Sequence, residues 1–245
     1  MPNNETFYMK LLEYIRTCAM HGDRLPPEET LAKLFGVSRV KLRDSLAALQ
    51  NDGYIIRKKG AGTLINKYIL AERARLDIDV YFEELIEATG HKPSTLVRNI
   101  TALHQVPDNI RARLEVPDKG IVYKIEKTIF ADGFPAIFLT DYVPHKYYNR
   151  DEIDVALLAK STFWFVQNYC DELLDNLIVH IAAINAEGRA AEELALPEGS
   201  AILQLSSICY NKSLSPIMYS VECYNTAMLP LSFQKRIILS KLERD

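Results

Sequence analysis

Apolar residues recur at helical spacing from Thr6 to Met20, at Phe7, Leu11, Leu12, Ile15, Cys18 and Ala19, which predicts one helix ended by His21-Gly22-Asp23. Leu25-Pro26-Pro27 sets an extended entry into a second helix. Pro27 suits its first turn, Glu28 and Glu29 suit the positive end of its dipole, and Leu31, Ala32, Leu34 and Phe35 form an apolar stripe that Gly36 breaks. A third helix follows, with Ser38 as N-cap, Leu42, Leu46 and Leu49 facing inward, and Arg39, Lys41 and Arg43 facing out. Helix, short glycine-containing turn and helix is a helix-turn-helix unit. Asn51-Asp52-Gly53 stops the third helix, Tyr54 to Arg57 reads as a strand, Lys58 to Gly62 as a tight basic turn, and Thr63-Leu64-Ile65 as the returning strand. A basic, glycine-tipped hairpin directly after a helix-turn-helix is a wing. Its glycines, Gly60 among them, let the backbone approach a nucleic acid closely, and Lys58 and Lys59 supply phosphate contacts.

Residues 66–78 are mostly polar or charged and read as a linker. The expected division is a DNA-binding domain at 1–68, a linker at 69–79 and a second domain at 80–245. Within the second domain, Tyr81 to Thr89 reads as a short helix closed by Gly90. Strand-like runs follow at Ser94 to His104, Gly120 to Ala131, Ala136 to Val143, Ala201 to Asn211 and Pro216 to Asn225. Helical segments lie between them at Asp108 to Leu114, Thr162 to Asp175 and Ala186 to Leu194. Turns at Asp132-Gly133 and Leu214-Ser215 join strands antiparallel, so the fold class is α+β, with helices packed on an antiparallel sheet and no internal repeat.

Composition changes the picture in three ways. The chain has 245 residues, 48% of them hydrophobic, enough for one small and one medium core. The net charge of -3 hides an asymmetry: residues 1–69 carry 11 Lys and Arg against 7 Asp and Glu, while the remainder carries 18 against 25. A basic head on an acidic body suits binding of nucleic acid by the head alone. Finally, no segment approaches the roughly 18 consecutive apolar residues of a membrane span, and the start, MPNNETFYMKLLEYIRTC, lacks the features of a secretory signal. The expectation is a cytoplasmic protein with no membrane partner. Cys18, Cys170, Cys209 and Cys223 lie far apart without metal-ligand spacing and read as buried thiols, and no metal or other cofactor is expected.

The stretch LPPEETLAKLFGVSRVKLRDSLAALQNDGYIIRKKGAGTLI, Leu25 to Ile65, closely resembles the GntR family of winged-helix regulators, whose pattern runs LPSERELA, VSRxTVRxAL, G-[LY]-I and GxGTxV. The resemblance implies that Arg39 and Arg43 reach operator bases and phosphates and that Lys59 and Gly60 approach the minor groove. Their i, i+4 spacing puts the two arginines on one helix face. One departure stands out: the arginine of the LPSER box is Glu29 here. The competing reading for Arg39, Lys41 and Arg43 is a solvated helix face, against which the wing weighs.

Beyond the linker, GHKPST (Gly90 to Thr95), IVYKIEKTIFADGFPAI (Ile121 to Ile137) with DYVP after it, LALPEGSAILQL (Leu194 to Leu205) and SPIMYSVECY resemble the UTRA sensor domain of the HutC-like subfamily. This implies a chorismate-lyase-like fold, homodimerisation, a small-molecule effector, and release of double-stranded operator DNA when it binds. Where relatives hold a sugar phosphate with two arginines, this chain has Lys127 and Ile129, and Leu139 and Met218 stand at the positions of acidic residues. Ser161 and Tyr224 match the pattern, Phe163 stands where a tyrosine is common, and His91 lies in a loop that carries backbone donors. The pocket is thus less cationic than a phosphosugar site and suits a small carboxylate, an amine or an aromatic metabolite.

Strand alternation places Met218, Ser220, Glu222 and Tyr224 on one face. Glu222 either reaches the cavity or is a surface carboxylate, and Lys127 is either a ligand anchor or a surface lysine. The regulator reads as a repressor, with activation as the alternative. An enzymatic second domain is disfavoured because its histidines are scattered and no GxSxG, HExxH or GxxxxGK[ST] occurs.

Overall fold

The structure, a computed structural model, describes residues 2–58, 60–77, 81–148, 161–169 and 174–235. The chain forms two units, Met1–Asp79 with Leu231–Asp245, and Val80–Pro230.

In the first unit, α1 (Pro2–His21), α2 (Glu28–Phe35) and α3 (Arg39–Asn51) are followed by β1 (Ile55–Lys58) and β2 (Gly62–Ile65). Leu11 and Ile15 of α1, Leu31 of α2, and Leu42, Leu46 and Leu49 of α3 are fully buried together and close on Ile55 and Ile65. Phe35 receives the rings of Phe7 and Tyr14 edge-on at 5.5 and 5.4 Å. Leu34, expected in the apolar stripe, is 58% exposed. The inward face of α2 is set by Leu31, Ala32 and Phe35, and position 34 lies roughly 110° round the helix from its centre. Gly36 ends α2 in the left-handed conformation, φ +62°, that a side chain would resist. Strands β1 and β2 pair antiparallel from Ile55↔Ile65 to Lys58↔Gly62, and Asp23 to Leu25 adds a third edge through Leu25 N–H to Thr63 C=O, 2.9 Å, and Ile65 N–H to Asp23 C=O, 2.8 Å.

The stretch expected as linker carries structure of its own. Asn66 is tied to Gly53 and Tyr54, then come α4 (Lys67–Ala71) and a two-residue strand, β3 (Ala74–Arg75). A strand this short is completed from the far end of the chain: β10 (Leu231–Ser232) runs parallel to it. Arg75, 5% exposed, is the centre of this ladder. Its guanidinium donates to the Asp52 carbonyl at 2.8 Å, grips both carboxylate oxygens of Asp77, reaches Gln234 Oε1 at 3.2 Å and lies 4.9 Å over the Tyr54 ring. Burial alone would raise the Asp77 carboxyl, but the bonds from Arg75 and the Gln234 N–H hold it below its ordinary value. Residues 231–235 therefore sit with the first unit, whereas the sequence put them in a second domain running to 245.

In the second unit, α5 (Phe82–Ala88) precedes β4 (Pro93–Leu103), α6 (Asp108–Leu114), β5 (Val122–Ala131) and β6 (Phe134–Pro144), which ends in a 3-10 turn at His145–Tyr147. Then α7 (Thr162–Tyr169) leads to β7 (Leu174–Asn185), α8 (Gly188–Leu194), β8 (Ala201–Asn211) and β9 (Pro216–Tyr224). The six strands form one antiparallel sheet in the order β4-β5-β6-β9-β8-β7. The expectation of no internal repeat is corrected here. Strand, short helix and hairpin occur twice, and α6 and α8 end alike, at Glu115 and Ala195 with φ of +49° and +51°, each two residues before a proline. The copies have diverged in side chains while keeping the backbone turn, so the repeat is visible in geometry and faint in sequence.

One sheet face packs on α6 and α8 through Leu114, Val122, Tyr219, Leu194, Ile202 and Cys223. The other packs on α7 through Phe165 and Val166 against Ile125, Val143, Cys209 and Met218. Strand β7 is a second correction: the helix expected to reach Asp175 has given way to strand by Leu174. Its run LIVHIAAI lacks alternation because β7 is an edge strand with Ile178, Val179 and Ile181 all exposed, and such runs read as helix or strand equally. Of the cysteines, Cys209 and Cys223 are buried, Cys18 is half-buried, and Cys170 lies outside the described residues.

Replacing Arg75 by Leu leaves the Asp77 carboxylate and the Asp52 carbonyl without their donor. It should destabilise the first unit by about 3 kcal/mol, read as a lower midpoint in chemical denaturation. Arg75→Lys, which keeps charge but not the planar fork, should recover less than half of the loss.

Candidate functional site

Ser38 caps α3 as expected, its Oγ accepting the Lys41 N–H at 3.2 Å. This starts the helix at Arg39, and the side chains of Arg39 and Arg43 project from its first turns, 69% and 68% exposed. Lys41 does not join them. Two residues along a helix is roughly a 200° rotation, and its Nζ lies 5.5 Å over the Phe7 ring of α1. Val40, beside the arginines, is 70% exposed. The wing tip turns at Gly60, φ +82°, with the Ala61 N–H bonded to the Lys58 carbonyl at 3.1 Å and Lys58 exposed; Lys59 lies outside the described residues.

The cations of this face are engaged by two carboxylates on α2. Glu29 Oε1 lies 3.2 Å from Arg39 Nη2 and 3.4 Å from Lys33 Nζ. Glu28 takes Arg43 Nε at 2.9 Å and, through its other oxygen, Arg57 Nη2 at 3.5 Å. Arg57, on the wing strand β1, is thereby drawn to the same face as Arg39 and Arg43. The sequence reading passed over it in favour of the turn lysines, although its position next to Lys58 in a basic strand was the signal.

The second unit gathers buried polar groups on the sheet face beneath α7. Lys127 of β5 is 2% exposed and Asp141 of β6 is 4% exposed, with Nζ and Oδ2 3.9 Å apart. Thr162, the first residue of α7, donates to one Asp141 oxygen and Ser220 of β9 to the other, through short hydrogen bonds. Burial pushes the Lys127 ammonium below its ordinary range, with the Asp141 and Glu83 carboxylates opposing the shift. Register sets Lys127 beside Leu139, Leu139 beside Glu222, and Asp141 beside Ser220. Glu222 accepts the Tyr224 hydroxyl, and both are buried. Ser207, beside Ser220, keeps a buried hydroxyl with no hydrogen-bond partner among the described residues.

Lys127, Leu139, Glu222 and Tyr224 therefore share one buried region, and neither Lys127 nor Glu222 is a surface residue. Met218 is fully buried and Phe163 packs against the same apolar cluster, while the Ser161 hydroxyl accepts the Trp164 N–H at 3.4 Å and caps α7. His91 stands apart. Its Nδ1 pairs with Asp132 Oδ2 at 2.8 Å, at the turn between β5 and β6, five residues beyond Lys127. The bond from His91, helped by the Lys92 N–H, holds the Asp132 carboxyl below its usual range. Asp141, Thr162 and Glu83 were missed. Asp141 had a signal: it is the lone carboxylate among Ile137, Leu139 and Val143 at alternate positions of one strand. Among the described residues no three His, Cys, Asp or Glu side chains are grouped to hold a metal, and no helix is long and apolar enough to cross a membrane.

An arginine-bearing helix followed by a basic hairpin is the architecture of a winged helix-turn-helix, and the second unit adds an antiparallel sheet with a polar interior. Residues 4–65 match the bacterial regulatory proteins of the gntR family and residues 88–229 match the UTRA domain. The chain belongs to the GntR family of regulators that carry a UTRA domain. It is 28% identical over 164 residues to the HTH-type transcriptional regulator GgaR of Escherichia coli (strain K12), a match spanning 63% of this chain and 63% of that relative, less than two thirds of its length. The HTH-type transcriptional repressor NagR of Bacillus subtilis (strain 168) is 21% identical over 222 residues, 89% of each chain. The possible transcriptional regulator YydK from Bacillus subtilis subsp. subtilis str. 168 shares the fold, with a TM-score of 0.73 at 18% identity over 95% of this chain and 99% of that one.

Because Asp141 is what offsets a buried ammonium, Asp141→Asn should destabilise the second unit by on the order of 3 kcal/mol. Adding Lys127→Met to that variant should restore much of the loss. A denaturation cycle over the two singles and the double reads the coupling, and additive losses would show that the pair does not interact.

Proposed function

We propose that this chain is a cytoplasmic repressor of the HutC-like branch that binds double-stranded operator DNA as a homodimer and releases it when a small non-phosphorylated metabolite binds the second unit. The observation that carries the DNA-binding reading is the pairing of Arg39 and Arg43 on one exposed face at the start of α3 with a basic wing behind it. A recognition helix presents its first turns to the major groove, where an arginine can take guanine O6 and N7 together, while Lys58, Lys59 and the bare Gly60 backbone serve the phosphates and the minor groove. Ser38 acts by fixing where the helix starts. Repression is supported by the likeness to NagR, a repressor. Dimerisation is supported by the exposed apolar edge of β7 and by the two-fold symmetry that palindromic operators share with their readers.

The effector site is the polar region beneath α7: Lys127, Asp141, Glu222 and Tyr224 supply the polar contacts, and Leu139, Phe163 and Met218 the apolar wall. Ser161 holds the start of α7, and His91 holds the adjoining turn. A phosphate dianion is poorly served here. Lys127 already faces Asp141, and Ile129, one alternation further along β5, is buried and apolar. A carboxylate, amine or aromatic metabolite fits better. The chain leaves the first unit beside β3 and re-enters it at β10, so both covalent connections run through the Arg75 ladder. An effector that favours one arrangement of the second unit biases the reading head through these two strands, in proportion to its differential affinity.

Two measurements test the reading. Arg39→Glu with Arg43→Glu should abolish binding to duplexes that the wild type selects from a random pool, while the protein keeps its unfolding midpoint; retained affinity would refute the reading face. Thermal unfolding against a panel of phosphosugars, carboxylates, amines and aromatics should show stabilisation by a non-phosphorylated compound that also releases selected DNA, about 2.7 kcal/mol at a hundredfold excess over Kd. Stabilisation and release by a phosphosugar would overturn the assignment of effector class.

A further inference from the structure

We infer that Glu28 and Glu29 act as an internal competitor for DNA phosphate, so that Glu29 in particular limits how tightly the reading head holds DNA of arbitrary sequence. The inference rests on the reading of Arg39 and Arg43 as DNA contacts.

Three elements bring their cations to these two carboxylates: Arg39 and Arg43 from α3, Arg57 from the wing, and Lys33 from α2 itself. Arg39 and Arg43, the exposed groups that would meet phosphate, thus meet a carboxylate of the same chain in the absence of DNA. Both carboxylates lie next to the surface that the duplex would approach, since Glu29 is 59% and Glu28 34% exposed.

The strength of these contacts decides what they do. An exposed ion pair shifts an equilibrium by at most about fivefold, so Glu29 cannot lock Arg39 away from DNA. It is nevertheless of the right size to compete with a diffuse phosphate. Binding to arbitrary sequence is built from such phosphate contacts, and each arginine retained by a carboxylate removes one of them. At the operator a bidentate arginine-to-guanine contact contributes roughly five- to hundredfold, which exceeds the competitor. The carboxylates therefore weaken or remove phosphate contacts with DNA of arbitrary sequence, while the larger operator contact still forms after the pair is given up. An arginine or a neutral residue at position 29 would lack this effect.

The test is a salt series of binding to a mixed-sequence duplex by the full chain, followed by anisotropy. Glu29→Gln should bind it about threefold more tightly at low salt, and the slope of log K against log salt should steepen by up to about 0.9, one additional phosphate. Glu28→Gln with Glu29→Gln should extend both changes. Glu72→Gln makes the same change in net charge at the exposed end of α4, outside the ion pairs of Arg39, Arg43 and Arg57, and should alter neither measurably. Equal effects of Glu29→Gln and Glu72→Gln, or an unchanged slope in Glu29→Gln, would overturn the inference while leaving the reading face intact. Arg39→Glu with Arg43→Glu binding the duplex as well as the wild type would show instead that the reading face itself is wrong, and the inference would fall with it.

Discussion

A single buried guanidinium organises the junction on which the first unit depends. Arg75 holds the carbonyl that ends α3, the ring that begins the wing, the carboxylate that follows β3 and the amide side chain that follows β10. Its five donors in a fixed plane are what allow one side chain to satisfy partners from both ends of the chain, and a lysine could not reproduce the arrangement. Asp52 links the junction onward, since its carboxylate accepts the Tyr8 hydroxyl of α1 at 2.6 Å, and burial together with Asp52 pushes that hydroxyl's pKa up. Helix α3 is thus anchored at its C-terminal end by residues that lead into the second unit, while the arginines of its first turns lie exposed on α2's carboxylates.

The two polar sites follow opposite electrostatic rules. Around Glu28 and Glu29 the charges are solvated, so each pair is weak, exchangeable and sensitive to salt. Around Lys127 and Asp141 water is excluded, so the pair is costly to assemble and more costly to break, and the hydroxyls of Thr162 and Ser220 supply the hydrogen bonds that make the carboxylate tolerable. Weak pairs suit a surface that must trade partners with DNA. On the proposed reading, a buried pair whose carboxylate is already hydrogen-bonded suits a site where a ligand must supply equivalent bonds to be admitted, and that requirement is a source of selectivity.

Local signals made much of this legible in the sequence. The helix-turn-helix and wing were readable because each boundary is marked by a residue with a local job: Ser38 at a cap, Gly36 in a left-handed turn, Gly60 at a hairpin tip. Strand alternation put Ser220, Glu222 and Tyr224 on one face, as found. What escaped was non-local. The strand β3 exists only because residues some 150 positions later lie alongside it, and no window of sequence contains both. The partners of Asp141 come from three different elements, and the inward turn of Lys41 depends on where Phe7 of another helix sits. Strand β7 was missed because most of its side chains are exposed at the sheet edge, and such a strand need not alternate.

That same strand has a cost in solution behaviour. Its twelve residues, LDNLIVHIAAIN, contain no proline and no lysine, and among the described residues no strand pairs with its outer edge beside Ile178, Val179 and Ile181. Natural sheets usually blunt such an edge with charge, a bulge or a cover, because bare β-branched strands template aggregation. Left uncovered, β7 would make the second unit sticky to itself and to nascent copies, so solubility in the cell is tied to how promptly that edge finds an ordered partner.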